Sequence, residues 1–141
     1  MERATERYFA GTWRLERRVR DALTGRVARA SGVLVFRPRQ GAPDVLEAEE
    51  QGELCLGAVR YPFSRRTLWR FGADRVVAVA FEDGRPFHSF AHGAAAAAGH
   101  PCGADHYEVG YRFGATAWVS RWAVTGPRKD YVMVTRHLRR G

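Results

Sequence analysis

The densest run of chemistry-bearing residues is HPCGADHYEVGY, residues 100–111, with two histidines, a cysteine, an aspartate and two tyrosines in one short stretch. As an acid–base cluster, His100 oriented by Asp105 would act as general base and Tyr107 as proton donor, with Cys102 as a nucleophile if its thiolate were stabilised. Imidazole titrates near neutrality, so His88 and His100 are the natural proton carriers. As a metal site the run offers His100, Cys102, Asp105 and His106, with His88 or His92 added from a neighbouring strand. The spacing matches no paired C-x-x-C zinc pattern, and strand alternation puts Asp105 and His106 on opposite faces. No metal ligand set is therefore assigned and no cofactor is expected. Zinc and haem are the lesser readings, haem through His88 or His100 as a single inward proximal ligand. The structural alternative is a rim loop in which His100 and Asp105 tie down a turn around Pro101 and Gly103 while Tyr107 lines the core. No serine elbow, P-loop, dinucleotide fingerprint or H-E-x-x-H motif points to a particular reaction.

Such residues are useful only where secondary structure holds them, and the pattern here is period two. RVARASGVLVFRP places Ala28, Ala30, Gly32, Leu34 and Phe36 on one face, and YPFSRRTLWRFG does the same for Tyr61, Phe63, Arg65, Thr67, Trp69 and Phe71. RVVAVAFEDGRPFHSF reads as two strands around a turn at Asp83-Gly84, a strong short-range hairpin signal. DHYEVGYRFGATAWVSRWAVTGPRKDYVMVTRHL reads as three more strands, turning near Gly114 and at Gly126-Pro127. GTWRLERRVRDALTG carries both helical and strand spacing; Gly11 and the DALTG turn favour the strand. The helical candidates are a turn or two in the first nine residues and the alanine run at 94–98, which also reads as a flap over a barrel mouth or a tolerated insertion. The count is eight or nine strands joined by short turns. That fits an all-β fold, a single antiparallel up-and-down barrel of eight to ten strands spanning residues 1–141, with a short N-terminal helical turn.

Composition sets the setting. A chain of 141 residues can bury one core without staples. It shows no signal-peptide pattern and no apolar stretch of spanning length, so a cytoplasmic protein with no membrane partner is expected. Cys55 and Cys102 are expected to be reduced thiols. The formal charge is +8, from 22 arginines and the lone Lys129 among the basic residues. The arginines alternate with acids, and neither a recognition helix nor an RNP-type aromatic signature is present, which argues against a nucleic-acid partner. An arginine excess in a chain rich in alanine and glycine is also what codon composition produces. The oligomeric state is not legible.

YFAGTWRLER, with Gly11 and Trp13 on the first strand, resembles the G-x-W opening of the lipocalins and the wider calycin group. Together with DGRPFHSF, HPCGADHY, WVSRWAVTGPRKDY and a final Thr-Arg, it is similar to a small lipocalin-like family of bacterial proteins of unknown function. The resemblance implies a β-barrel over nearly the whole chain, with Trp13 closing one end beneath a basic residue of the last strand, the part expected of Arg136. It leaves the activity open.

A barrel of this size holds one small ligand unless side chains fill it. Inward polar residues are then informative, because a buried polar group needs a partner or a purpose. Arg65 shares a face with Trp69, Arg17 with Trp13, Glu50 with Leu46 and Ala48, and Ser120 lies between Trp118 and Trp122. The expected role is binding of a small, partly apolar molecule with an anionic group. Arg65 would meet the anion, Trp69, Trp118 and Trp122 would form walls, and His88, His100, Asp105 and Tyr107 would supply polar contacts. Three alternatives stay open: an internal Arg65–Glu50 ion pair with no ligand, an enzyme using His100 and Asp105 as base and Tyr107 as acid, and a filled barrel serving as an interaction module.

Overall fold

Alternation of large apolar and charged side chains gives strands with one dry and one wet face, and ten of them form in the computed structural model, which describes residues 4–140. A short helix α1 (Ala4–Phe9) leads into β1 (Gly11–Asp21), β2 (Val27–Arg39), β3 (Ala42–Leu56), β4 (Val59–Phe71) and β5 (Val76–Phe81). There follow β6 (Pro86–Ala91), β7 (Ala95–Cys102), β8 (Asp105–Phe113), β9 (Ala117–Gly126) and β10 (Lys129–Arg139). The strands form one antiparallel sheet in the order β6-β5-β4-β3-β2-β1-β10-β9-β8-β7. The sheet curls until β6 and β7 lie side by side, yet among the described residues no ladder joins them. The result is a nearly closed lipocalin-like barrel with one seam. The helix α1 is too short and polar to cross a membrane, and it is the only α-helix among the described residues.

The expected hairpin at Asp83-Gly84 forms, with Gly84 at a φ of 91°, a conformation that suits glycine. The ambiguous segment after Gly11 is strand β1. Two expectations are corrected. The strands number ten, one or two more than the running count but within the eight to ten expected of the barrel. The alanine run is neither helix, flap nor insertion: it is edge strand β7, paired residue for residue with β8 from Ala95 opposite Arg112 to Cys102 opposite Asp105. Alanine has little strand preference of its own, and the partner ladder overrides it.

Gly32 and Gly52 face each other across β2 and β3. A Cβ on either would collide with the opposite backbone, and the edge of Phe63 lies 3.0 Å from where a Gly52 Cβ would sit. The bare glycines let the two strands approach under that ring.

One barrel end is sealed by α1. Phe9 is fully buried and meets Phe36, Trp69, Phe71, Phe113 and Trp118 with ring centroids 5.1 to 6.0 Å away. Trp13 donates its indole N–H to the Phe9 carbonyl at 2.9 Å. Tyr8 donates its hydroxyl to the Gly114 carbonyl at 2.6 Å, tying the helix to the β8–β9 turn.

Trp13 does lie under a basic residue of the last strand, but that residue is Arg139. Its guanidinium carbon is 3.9 Å from the Trp13 ring, and it donates to the Ala10 carbonyl at 2.7 Å and to the Tyr8 carbonyl. Arg136 is exposed on the outer face, 3.9 Å from Glu16. The register explains the correction: Trp13 pairs with Arg139, whereas Arg136 pairs with outward Glu16. Arg139→Ala is therefore expected to cost about 2 kcal/mol, for a stacked cation and its charge-assisted hydrogen bonds. Arg136→Ala should stay within about 0.5 kcal/mol. Urea denaturation of the two variants checks the pair, and equal effects would count against this closure.

Candidate functional site

Above the aromatic floor, the inward positions turn polar. Arg17 of β1 grips Glu50 of β3 through two hydrogen bonds, 3.0 and 2.6 Å, and donates its Nε to the Thr135 hydroxyl at 2.7 Å. The expected alternative, an Arg65–Glu50 ion pair, is not the one formed, although those two residues are register partners. Burial pushes the Glu50 carboxyl up, but the charge and hydrogen bonds of Arg17, aided by Arg65, prevail and hold it below the usual carboxylate range.

Two histidines share this belt. His137 stacks on Trp118 with centroids 3.5 Å apart and planes 9° from parallel. Its Nδ1 lies 3.3 Å from the Trp118 carbonyl, and burial lowers its pKa to about 3. The His88 Nε2 is 2.7 Å from the Tyr111 hydroxyl. Burial, with a smaller push from His100, lowers the His88 pKa to about 4, and burial raises that of Tyr111. Tyr111 thus stays protonated and donates to Nε2, which puts the imidazole proton on Nδ1. That Nδ1 and the Trp118 Nε1 are buried without a hydrogen-bond partner. Both side chains border a central void of about 40 Å³, enclosed also by Glu50, Arg65, Ser120 and Trp122. The void is the size of one water molecule.

The open end is an aromatic rim. Arg65 lies with its guanidinium 4.5 Å above the Trp122 ring, and no carboxylate among the described residues pairs with it. Phe87 stacks on Phe81 at 4.8 Å and meets His100, Tyr107 and Trp122 edge to face at 5.3, 5.6 and 5.1 Å. Phe87 and His88 are adjacent and both buried, because the β5–β6 register slips between Val79 and Ala80. A bulge turns two successive side chains inward there.

Of the residues expected to contact a ligand, Arg65, Trp69, His88, Trp118 and Trp122 line one void, whereas His100, Asp105 and Tyr107 do not. Trp69 and Trp118 are also floor residues, packed on Phe9. The acid–base cluster is not assembled. Asp105 pairs with Lys129 at 3.1 Å, and Lys129 lies 3.5 Å from the Tyr107 hydroxyl. His100 faces Tyr107 across the hairpin with ring centroids 6.3 Å apart, but no hydrogen bond joins it to Asp105. The physical reason is that Lys129, at the start of β10, offers Asp105 a full opposite charge. Lys129 of the last hairpin thus fastens this rim. The Cys102 side chain lies outside what is described. Among the described residues, no three His, Cys, Asp or Glu side chains are grouped to hold a metal, and the void is far smaller than a haem. Sequence reasoning missed His137 and Thr135. The signal was their shared phase with Met133, two and four residues along an alternating strand.

A nearly closed meander of this length, plugged at one end by a helix beneath a G-x-W tryptophan and a stacked arginine, is a lipocalin-like barrel domain. The chain belongs to a family of unknown function, DUF6314, whose pattern matches residues 9–139. Among solved structures it is similar to the S-type phycobiliprotein lyase CPES from Guillardia theta, with a TM-score of 0.65 over 96% of this chain and 90% of that one. The two are 7% identical, so the likeness is one of fold. No curated protein matches the sequence.

Proposed function

We propose that the barrel binds a small, partly apolar molecule whose anionic group meets Arg65 at the open end. The observation that carries this reading is the state of Arg65: Glu50 is committed to Arg17, which leaves the Arg65 fork stacked on Trp122 without a carboxylate. A planar guanidinium held on an aromatic face at a rim suits a carboxylate, sulfonate or phosphate. Deeper in, the unpaired N–H groups of His88 and Trp118 suit a hydrogen-bond acceptor, such as a ligand carbonyl or a water in its place. The unladdered seam between β6 and β7 gives the walls a place to part, which admission of a ligand larger than the void requires.

One observation favours a second reading. A void of about 40 Å³ is what a filled barrel presents, and an interaction module needs nothing larger. An enzyme using the same pocket has less support. The similar structure is a lyase, but here Asp105 is held by Lys129 and His100 lacks an orienting carboxylate.

Titration with 1-anilinonaphthalene-8-sulfonate, an aromatic anion, followed by quenching of tryptophan fluorescence, separates the readings. One saturable site is expected, weakened about tenfold or more by Arg65→Ala, as for the loss of a charged hydrogen-bonded contact. Saturable binding indifferent to Arg65→Ala would remove Arg65 from the site. An absence of binding would favour the filled barrel.

A further inference from the structure

The outside of the barrel divides into two electrostatic halves. Over β3 and β4 the outward arginines have acidic partners: Arg66 and Arg37 with Glu49, Arg60 with Glu53, and Arg70 with Asp44, at 2.5 to 3.7 Å. At the far end of β2 and across the middle of β1, β10 and β9, away from Arg37, Arg39 and Arg136, a second group of outward arginines has none. Arg18 faces Arg29 directly across the β1–β2 ladder. On its other side Val134 of β10 separates it from Arg121 of β9. Arg20 follows Arg18 two residues along the strand, about 7 Å away. Among the described residues none of these four arginines has a carboxylate within ion-pair distance, and Glu16, on the same face, is the one beside Arg136.

Arg18, Arg20 and Arg121 border a recess of about 270 Å³ whose floor is Val132 and Val134. Like charges placed opposite each other on a sheet destabilise it, so this arrangement lacks a structural gain within the chain. Three guanidinium forks around one hollow match the several acceptor oxygens of a phosphate, which arginine engages in paired hydrogen bonds. Arg121 also borders an adjoining recess of about 490 Å³ over Ala97, Gly99 and Gly110, with the His106–Glu108 pair on its wall, leaving room beside the phosphate for an organic group. The face is made of strands, with no helix or loop rising from the recess to read a base sequence. We propose that this recess is a binding site for a phosphate-bearing ligand, distinct from the barrel interior.

The test is titration of the full chain with inorganic pyrophosphate at low ionic strength, followed by the backbone amide resonances of Arg121, Val132 and Val134. Saturable shifts confined to the recess are expected. Arg18→Gln and Arg121→Gln should each weaken binding about tenfold or more, while Arg60→Gln, on the neutralised half, should leave it unchanged. Absence of saturable shifts, shifts spread over all the outward arginines, or equal weakening by Arg60→Gln would overturn the site. Displacement of pyrophosphate by a short DNA duplex or by phosphatidic acid vesicles upholds it and assigns the phosphate to a nucleic acid backbone or a lipid headgroup. Pyrophosphate binding that neither displaces upholds it for a free phosphorylated compound.

Discussion

Glu50→Ala is expected to destabilise the barrel by about 3–5 kcal/mol, because it leaves the Arg17 guanidinium buried without its counter-charge. The side chains of Arg17 and Glu50 are only 9% and 11% exposed, so water cannot replace the lost partner cheaply. Removing both charges is a different experiment. Arg17→Met combined with Glu50→Leu takes away the attraction and the desolvation cost together, and should restore most of the loss. The Thr135 hydroxyl then loses its donor, at a cost of about 1 kcal/mol. Urea unfolding of the single and double variants yields the coupling directly. A single-variant loss below about 1 kcal/mol would mean that solvent reaches the pair, and with it the centre of the barrel. Arg65→Ala provides the contrast, since its guanidinium is exposed at the rim and its loss should affect ligand binding far more than folding.

The two arginines also mark where the sequence stops being legible. Parity along each strand states which residues point inward, and Arg17, Glu50, Arg65, Tyr111 and Ser120 follow it. Which arginine reaches Glu50 depends on how far the sheet shears as it closes, and no local pattern encodes that. Glu50 lies opposite Arg65 in the ladder and still bonds Arg17, 33 residues away. Barrel closure repeats the lesson at smaller scale. Arg136 and Arg139 are three residues apart, which in a strand means opposite faces, and only the register of the last strand against the first puts Arg139 beside Trp13. Phe87 and His88 defeat alternation outright, since a bulge turns both inward. The alanine run was obscure for another reason: its side chains say little, and its strand identity comes from the β8 ladder. The Asp83-Gly84 hairpin, by contrast, is set by local turn chemistry and needed nothing from the rest of the chain.

Stability should fall by about 3 kcal/mol between pH 6.5 and pH 5, through the two belt histidines. Burial holds His137 near pKa 3 and His88 near 4 in the folded barrel, while the unfolded chain titrates at about 6.5. A base with a lowered folded pKa contributes its full stability above the unfolded value. It loses that stability as pH falls, because only the unfolded state takes up the proton. Each histidine starts at half the full slope at pH 6.5 and approaches about 1.4 kcal/mol per pH unit below it, losing about 1.6 kcal/mol by pH 5, until pH reaches its folded value near 4 or 3. Glu50 does not offset this, since a carboxyl held low in the folded barrel contributes fully above its unfolded value of 4.5 and begins to lose that contribution only near pH 5, in the same direction as the histidines. Against the roughly 5–15 kcal/mol of a typical domain, the loss is large enough to move the urea midpoint visibly. The slope should correspond to nearly two protons at pH 5. In His137→Phe, which keeps an aromatic ring against Trp118 at the cost of the 3.3 Å contact to its carbonyl, the slope should fall to about one. A profile flat from pH 6.5 to pH 5 would show that both imidazoles accept protons in place, in a wetter interior than the packed belt around Trp118 and Tyr111 allows. A slope unchanged by His137→Phe would transfer the effect to His88 and to the half-buried His92, whose pKa is also lowered by burial.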